Sequence, residues 1–373
     1  MDKVTFVNKL KKLPSRWFID AFSGMASGLF CTLIAGTIIA QIGSWCGDNV
    51  FANVLKYFGS IAKMLMGAGI GVGIAYKLKC KPLVIFSAAV TGLVGAFAGG
   101  VVNSLCTGSA FAAPAFGAPG NPIGSYVVTL FTIEIAGLYA GKTKLDIVLV
   151  PLGMILLCLG GVFVAWPFIK LVDLIGIGIA LAIQAGTAVK IIVGIFVAVI
   201  MGILLTMPTS SAAIWIAITA AVPAEYAEAL AIAGGAAVAG CAAHMIGFAV
   251  ASFRDNKWGG LISQGIGTSM LQIPNIMRKP IIMVPEIVAS AVSGLVAVLF
   301  DLRCNATGGG MGTSGLVGVF GAVAESTAWN VPTVNIVLGI ILCLFVLPAG
   351  ISLGVSELMR KKNWIKPGDQ KID

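Results

Sequence analysis

Gly265-Ile266-Gly267-Thr268-Ser269-Met270-Leu271-Gln272-Ile273-Pro274-Asn275 and Gly308-Gly309-Gly310-Met311-Gly312-Thr313-Ser314-Gly315-Leu316 are polar, glycine-rich interruptions in an otherwise apolar chain. Both lie among segments long enough to cross a bilayer. Non-helical backbone at membrane depth leaves N–H and C=O groups unpaired, so it persists only where protein or a watery cavity satisfies them. Loops of this kind point to a transporter or channel whose site lies near the bilayer midplane.

The rest of the composition agrees. The 373 residues are 58% hydrophobic and only 10% charged, with a mean hydropathy of +1.01. That excludes a soluble enzyme and sets the fold class as an all-α polytopic membrane protein. The 48 glycines suit close helix packing in lipid. A net charge of +9 does not signal nucleic acid, because the basic residues cluster in short segments between apolar ones. The eight cysteines form no C-x-x-C pair. Cys31, Cys158, Cys241 and Cys343 read as packing residues within spans. Cys46, Cys106 and Cys304 fall in non-cytoplasmic loops, which permits a disulfide without indicating one. No cleavable signal peptide is evident. Residues 1–21 carry Lys9, Lys11, Lys12 and Arg16 beside Phe6, Leu10, Trp17 and Phe18, the pattern of an interfacial amphipathic helix.

Ten spans are expected, at roughly 22–42, 57–76, 83–106, 122–140, 146–167, 171–187, 191–207, 229–252, 281–300 and 333–357. The basic clusters run from Lys3 to Arg16, then Lys77, Lys79 and Lys81, Lys142 and Lys144, Lys190, Arg254 with Lys257, Arg278 with Lys279, and Arg360 to Lys362. An even count puts them all on one side, with both termini cytoplasmic. The parity depends on 171–187, which is short and glycine-rich. Residues 208–222, 259–276 and 306–325 do not fit as spans and read as re-entrant hairpins. Residues 107–121, uncharged and rich in breakers, read as a loop. The division is therefore an N-terminus (1–21), a transmembrane domain (22–358) and a basic cytoplasmic tail (359–373). Lys81-Pro82-Leu83-Val84 echoes Lys279-Pro280-Ile281-Ile282, and Gly69-Ile70-Gly71 echoes Gly265-Ile266-Gly267, as in transporters built from duplicated halves.

Ionisable groups inside spans cost about 2.5–3.5 kcal/mol at the helix centre on insertion scales, so each is a site candidate. Glu134 sits mid-span as a solute or proton ligand, or as a helix-packing carboxyl. Glu286 follows Pro285, which frees a backbone carbonyl one turn earlier; it accepts from solute hydroxyls, or pairs with a Ser or Thr of a neighbouring helix. His244 is the only histidine. As a neutral imidazole it offers one donor and one acceptor; the plainer reading is a packing residue. Thr209, Ser210 and Ser211 beside Pro208, Thr268, Ser269, Gln272 and Asn275 in one hairpin, and Thr313 and Ser314 in the other complete the candidate solute site. They can also cap hairpin helix ends. Hydroxyls and amides with few charges suit a neutral sugar or polyol better than an ion. A single histidine without a Cys-rich partner motif argues against a metal; no cofactor and no catalytic residue is assigned. Lys142-Thr143-Lys144 with Asp146 is a charged, anchoring turn, or a contact for a soluble partner.

Several stretches then carry a resemblance. These are Glu134, Gly141-Lys142-Thr143-Lys144-Leu145-Asp146-Ile147 with Pro151, Met201-Gly202-Ile203-Leu204-Leu205-Thr206-Met207-Pro208-Thr209-Ser210-Ser211-Ala212-Ala213, Gly240-Cys241-Ala242-Ala243-His244-Met245-Ile246-Gly247, Ser252-Phe253-Arg254-Asp255-Asn256, Gly267-Thr268-Ser269-Met270-Leu271-Gln272-Ile273-Pro274-Asn275 and Gly310-Met311-Gly312-Thr313-Ser314-Gly315. Together, over about residues 65–355, the chain resembles the second family of phosphotransferase-system EIIC membrane components, a group that includes perfringolysin-regulator-like proteins. The resemblance implies a homodimeric bacterial inner-membrane protein that binds a sugar-like solute. It also implies a scaffold domain, a moving transport domain with two re-entrant hairpins, and a His and a Glu near the sugar. The Lys279-Pro280-Ile281-Ile282-Met283-Val284-Pro285 segment resembles the proline-bearing segment near the sugar in that family.

Only a short basic tail follows Asn363, so any phosphoryl donor is expected on a separate chain, with sugar phosphotransfer only alongside EIIA- and EIIB-type proteins. The leading expectation is transport by alternating access. The alternatives are a membrane sensor regulating gene expression, which lacks any DNA-binding motif here, and a non-phosphorylating transporter of a non-sugar solute. A channel is disfavoured because the hairpins differ and no ring-forming charge motif is present.

Overall fold

The computed structural model describes residues 13–110, 116–118, 120–207, 211–220 and 222–372. Every regular element among the described residues is helical, so the chain is an all-α polytopic membrane protein. It divides into two compact units, Met1–Asp173 and Leu174–Asp373.

The first unit holds α1 (Leu13–Ser44), the pair α2 (Val50–Met64) and α3 (Met66–Lys77) bent by 52°, the pair α4 (Pro82–Ala96) and α5 (Ala98–Thr107) bent by 61°, and α6 (Pro122–Tyr139). Asn121 starts α6: its Oδ1 accepts from Ile123 N at 2.9 Å and Gly124 N at 3.1 Å, and Pro122 occupies the first turn. Val102, Val128, Cys158, Val162 and Ile169 form the core between α5, α6 and the next helix, α7 (Asp146–Gln184).

Helix α7 corrects the expected topology. Spans 146–167 and 171–187 are one continuous helix of 39 residues, with Pro151 and Pro167 inside it. At 1.5 Å per residue it is about 58 Å long, far beyond a bilayer core of about 30 Å. Lys170 and Asp173, where the two expected spans would part, pair along the helix surface at 3.4 Å, about one turn apart. Among the described residues, seven helices are long and apolar enough to cross a membrane, or up to nine if each bent pair is one span, against about ten expected.

The second unit is built on α10 (Ala224–Ala251), 94% of whose most apolar window is buried. Alanine and glycine cover it on all sides, the composition of a helix with no solvent face. Helix α8 (Thr187–Thr206) runs parallel to it, with Gly194 beside Ala236, Ala198 on Gly240 and Gly202 on His244. A Cβ at Gly240 would overlap the Ala198 carbonyl, so only glycine permits this approach. Helix α9 (Ser211–Ala220) follows α8, and α11 (Phe253–Ile262) and α12 (Ile273–Arg278) follow α10. Helix α13 (Pro280–Leu299) is antiparallel to α10: Ser290 Oγ donates to Gly240 O at 3.2 Å and Glu286 lies on Gly247. After α14 (Val317–Ala328), helix α15 (Thr333–Lys361) runs parallel to α10, placing Ser352 on Gly247 and Arg360 on the Ala251 carbonyl at 3.1 Å.

One end of this unit is basic: Arg254, Lys257, Arg278, Lys279, Arg360, Lys361 and Lys362 gather at the ends of α10, α12 and α15. The other end carries Glu228, Asp301 and Arg303; Arg303 pairs with both acids at 2.9 Å and lies over Trp329. The eight cysteines are free thiols. The internal echo reaches only the Lys-Pro helix starts, because Gly69-Ile70-Gly71 lies inside α3 whereas Gly265-Ile266-Gly267 forms a π turn in a connection.

Candidate functional site

Two connections of the second unit and the facing ends of α8 and α9 meet at one level of α10. Residues 302–328 begin at its acidic end, where Cys304 N donates to Ala231 O at 2.9 Å. They descend past Gly312, which lies on Cys241 and Ala242, and reach Met245 with Thr313. They then return through α14 to Ser326, whose hydroxyl bridges the Arg303 N–H and carbonyl at 3.0 Å each. The turn is made possible by Gly312 and Gly315 at φ of +55° and +52°. Residues 253–278 make the opposite excursion from the basic end. Their tip is a π turn, Ser263–Gly267, followed by the extended Thr268. The tips touch: Thr313 Oγ1 donates to Gly265 O at 2.6 Å and Ser314 Oγ to Gly267 O at 2.9 Å. The start of α9 lies at the same level, where Ser211 Oγ donates to Gly310 O at 2.6 Å.

A buried polar relay lies at this junction. Thr206 Oγ1 is 2.8 Å from His244 Nδ1 and 3.0 Å from Ser269 Oγ, and all three residues are fully buried. His244 packs edge-on against Phe248. Its Nε2 has no partner among the described residues. One turn further along α10, Glu286 and Ser352 both lie against Gly247, where any side chain would meet them. Both Glu286 oxygens and the hydroxyls of Ser293, Ser352 and Ser356 are buried and unpartnered among the described residues. Native interiors satisfy nearly all such groups, so these atoms are open to a polar partner beyond the described residues.

The expected site residues therefore separate. His244, Ser269, Thr313 and Ser314 come together at the tips, with Glu286 one helical turn away. Thr268 Oγ1 accepts from Met270 N at 3.1 Å as a local cap. Gln272 and Asn275 turn towards the segment after α15: Gln272 Nε2 donates to Gln264 Oε1 at 2.8 Å and Gln370 O at 2.9 Å, and Asn275 Nδ2 to Gln272 Oε1 and Lys371 O at 2.8 Å each. That segment, read from sequence as a tail, is packed. Ile365 is buried with Phe248, Ile276 and Ile282, and Asp369 pairs with Lys279 at 2.6 Å. Glu134 belongs to the first unit, where Arg16 Nε donates to it at 2.8 Å and Trp17 Nε1 at 3.2 Å. Thr209 and Ser210 lie outside the described residues.

Sequence reading missed Thr206, the hinge of the relay, which looks like the last residue of an apolar span. It also missed the serines. Glu286, Ser290 and Ser293 share one face of α13 at i, i+4 and i+7, and Ser352 and Ser356 share one face of α15; that spacing is the signal. A search of curated proteins finds no match. The family model described as Phosphotransferase system, EIIC matches residues 19–372, nearly the whole chain, and the protein belongs to that family.

Proposed function

We propose that this phosphotransferase-type membrane transporter binds a sugar or polyol where the hairpin tips meet and carries it inward by alternating access. The unpartnered polar atoms at Glu286, Ser352 and His244 Nε2 carry this reading, because hydroxyls of a neutral solute would satisfy them. Glu286 accepts from solute hydroxyls. His244 presents Nε2 as donor or acceptor according to the role Nδ1 takes towards Thr206. Separate phosphotransfer proteins phosphorylate the solute on release, and the transporter is a homodimer in the bacterial inner membrane.

Orientation follows from charge. The basic end of the second unit, and the first unit's Arg16, Lys79 and Lys81, face the cytoplasm. Helix α8 enters from the acidic end, runs parallel to α10 and is followed by α9, whose Ile218 returns to Gly176. It is then a re-entrant limb rather than a crossing, and the maximum of nine spans becomes eight. An even count puts both termini in the cytoplasm and Lys190 outside, where charge clustering alone had it inside. Residues 253–278 and 302–328 are re-entrant from opposite faces.

The test is thermal stabilisation of detergent-purified protein by a panel of sugars, polyols, sugar acids and vitamins, on wild type, Glu286→Gln and His244→Ala. Saturable stabilisation by one compound, lost in both variants, is expected. A stabilising compound indifferent to both changes would put the site elsewhere.

A further inference from the structure

We propose that the first unit binds one anionic phospholipid, its headgroup at a basic cavity beside Arg16 and an acyl chain in the apolar groove that adjoins it. The basic cavity measures 670 Å³ and is lined by Arg16, Asp20, Lys77 and Lys79, among others. A second cavity of 290 Å³ shares Arg16 and Lys79 with it and adds Lys81 and Glu134. Four basic side chains thus stand against two carboxylates, a surplus of two positive charges. Arg16 is tied to Glu134 at 2.8 Å and Lys81 Nζ donates to Ala140 O at 3.1 Å. Lys77 and Lys79 have no ion pair among the described residues, so their charges remain for an anion. Basic pockets of this kind at the end of membrane helices suit phosphate headgroups.

The groove of 540 Å³ meets the smaller basic cavity at Glu134, which lines both. Phe18, Phe22, Tyr126, Phe131 and Phe168 form much of its wall. Its few polar atoms are turned inward: Trp17 Nε1 donates to Glu134, and the Tyr126 hydroxyl donates to Trp17 O at 2.7 Å. The wall that remains is hydrocarbon. Phe18 is 60% exposed and Phe168 is 51% exposed, so the groove opens to the surroundings of the unit. An exposed apolar groove headed by surplus positive charge matches an amphiphile with an anionic head better than it matches either a free anion or a neutral lipid.

The experiment uses the full chain in detergent, delipidated, with dioleoylphosphatidylglycerol, dioleoylphosphatidylcholine and glycerol 1-phosphate as probes. Binding is read by native mass spectrometry and thermal shift, with oligomeric state read in parallel. Phosphatidylglycerol is expected to be retained at least tenfold more strongly than phosphatidylcholine. Lys77→Ala with Lys79→Ala should abolish that preference, and Leu130→Trp, which fills the groove, should weaken retention of both lipids. Both sets of variants should keep the solute response of the second unit. Equal retention of the two lipids, a preference surviving the lysine changes, full competition by glycerol 1-phosphate, or a groove closed by a second copy of the chain would each overturn the proposal.

Discussion

Replacing Thr206 with valine removes one hydroxyl at nearly constant shape. That hydroxyl serves His244 Nδ1 at 2.8 Å and Ser269 Oγ at 3.0 Å, joining α8, α10 and the hairpin between α11 and α12. Interhelical hydrogen bonds in membrane proteins average about 0.6 kcal/mol, and buried ones in soluble proteins about 1 kcal/mol. Two lost bonds therefore cost about 1–2 kcal/mol. At about 2–4 °C per kcal/mol for domains of this size, Thr206→Val should melt about 2–8 °C lower, while Thr206→Ser stays near wild type. A double-mutant cycle sharpens the test. Ser269→Ala breaks one of the two bonds, and the coupling between Thr206→Val and Ser269→Ala should be about 0.6–1 kcal/mol. Thermal unfolding in detergent measures all four proteins. Strict additivity, or a Thr206→Val protein as stable as Thr206→Ser, would refute the relay.

Gly240→Val should be among the most damaging single changes, since its side chain meets the Ala198 carbonyl backbone rather than a movable side chain; overpacking of this kind costs about 1–3 kcal/mol or more, and size-exclusion chromatography of the purified protein should show loss of the monodisperse species. Asp369 lies outside the spans. Burial opposes its charge, but hydrogen bonds from Lys279 and the Lys366 N–H, with both lysine charges, outweigh that and hold its carboxyl below the ordinary value. A depressed folded value stabilises above the unfolded one and is lost as pH falls through the folded one. The 364–372 segment should therefore loosen below about pH 4, seen as faster hydrogen exchange there, and Asp369→Asn should show that looseness already at neutral pH. Asn275→Ala should loosen the same segment without altering the solute response; a lost response would show that Asn275 faces the solute after all.

The long apolar segments were legible because length and hydropathy suffice for them. The turn at residues 312–315 was legible because Gly312 and Gly315 take positive φ, a reason visible in one residue. What escaped depends on distant partners. Glu134 draws its environment from Arg16, 118 positions away, and Gln272 from a carbonyl 98 positions away. No local pattern announces either. The glycine-rich stretch 171–187 was expected as a separate short span, yet it continues the helix from Asp146, and Lys170 and Asp173, three residues apart, pair on its surface. Thr206 was hidden by its neighbours, since a threonine closing an apolar run looks like a span end.

Helix α10 has a consequence in conformational entropy. From Ala233 to Ala243 only Val238 and Cys241 have a side chain larger than a methyl group. Alanine and glycine have no rotamers to freeze, so this stretch packs against α8 and α13 with almost no side-chain disorder to lose and almost none to recover. Rotameric freedom returns at His244, Met245, Ile246 and Phe248, the level at which the two connection tips meet. Along α10 from Ala233 to Phe248, side-chain adaptability is thus concentrated at that level, where a guest can select among side-chain arrangements.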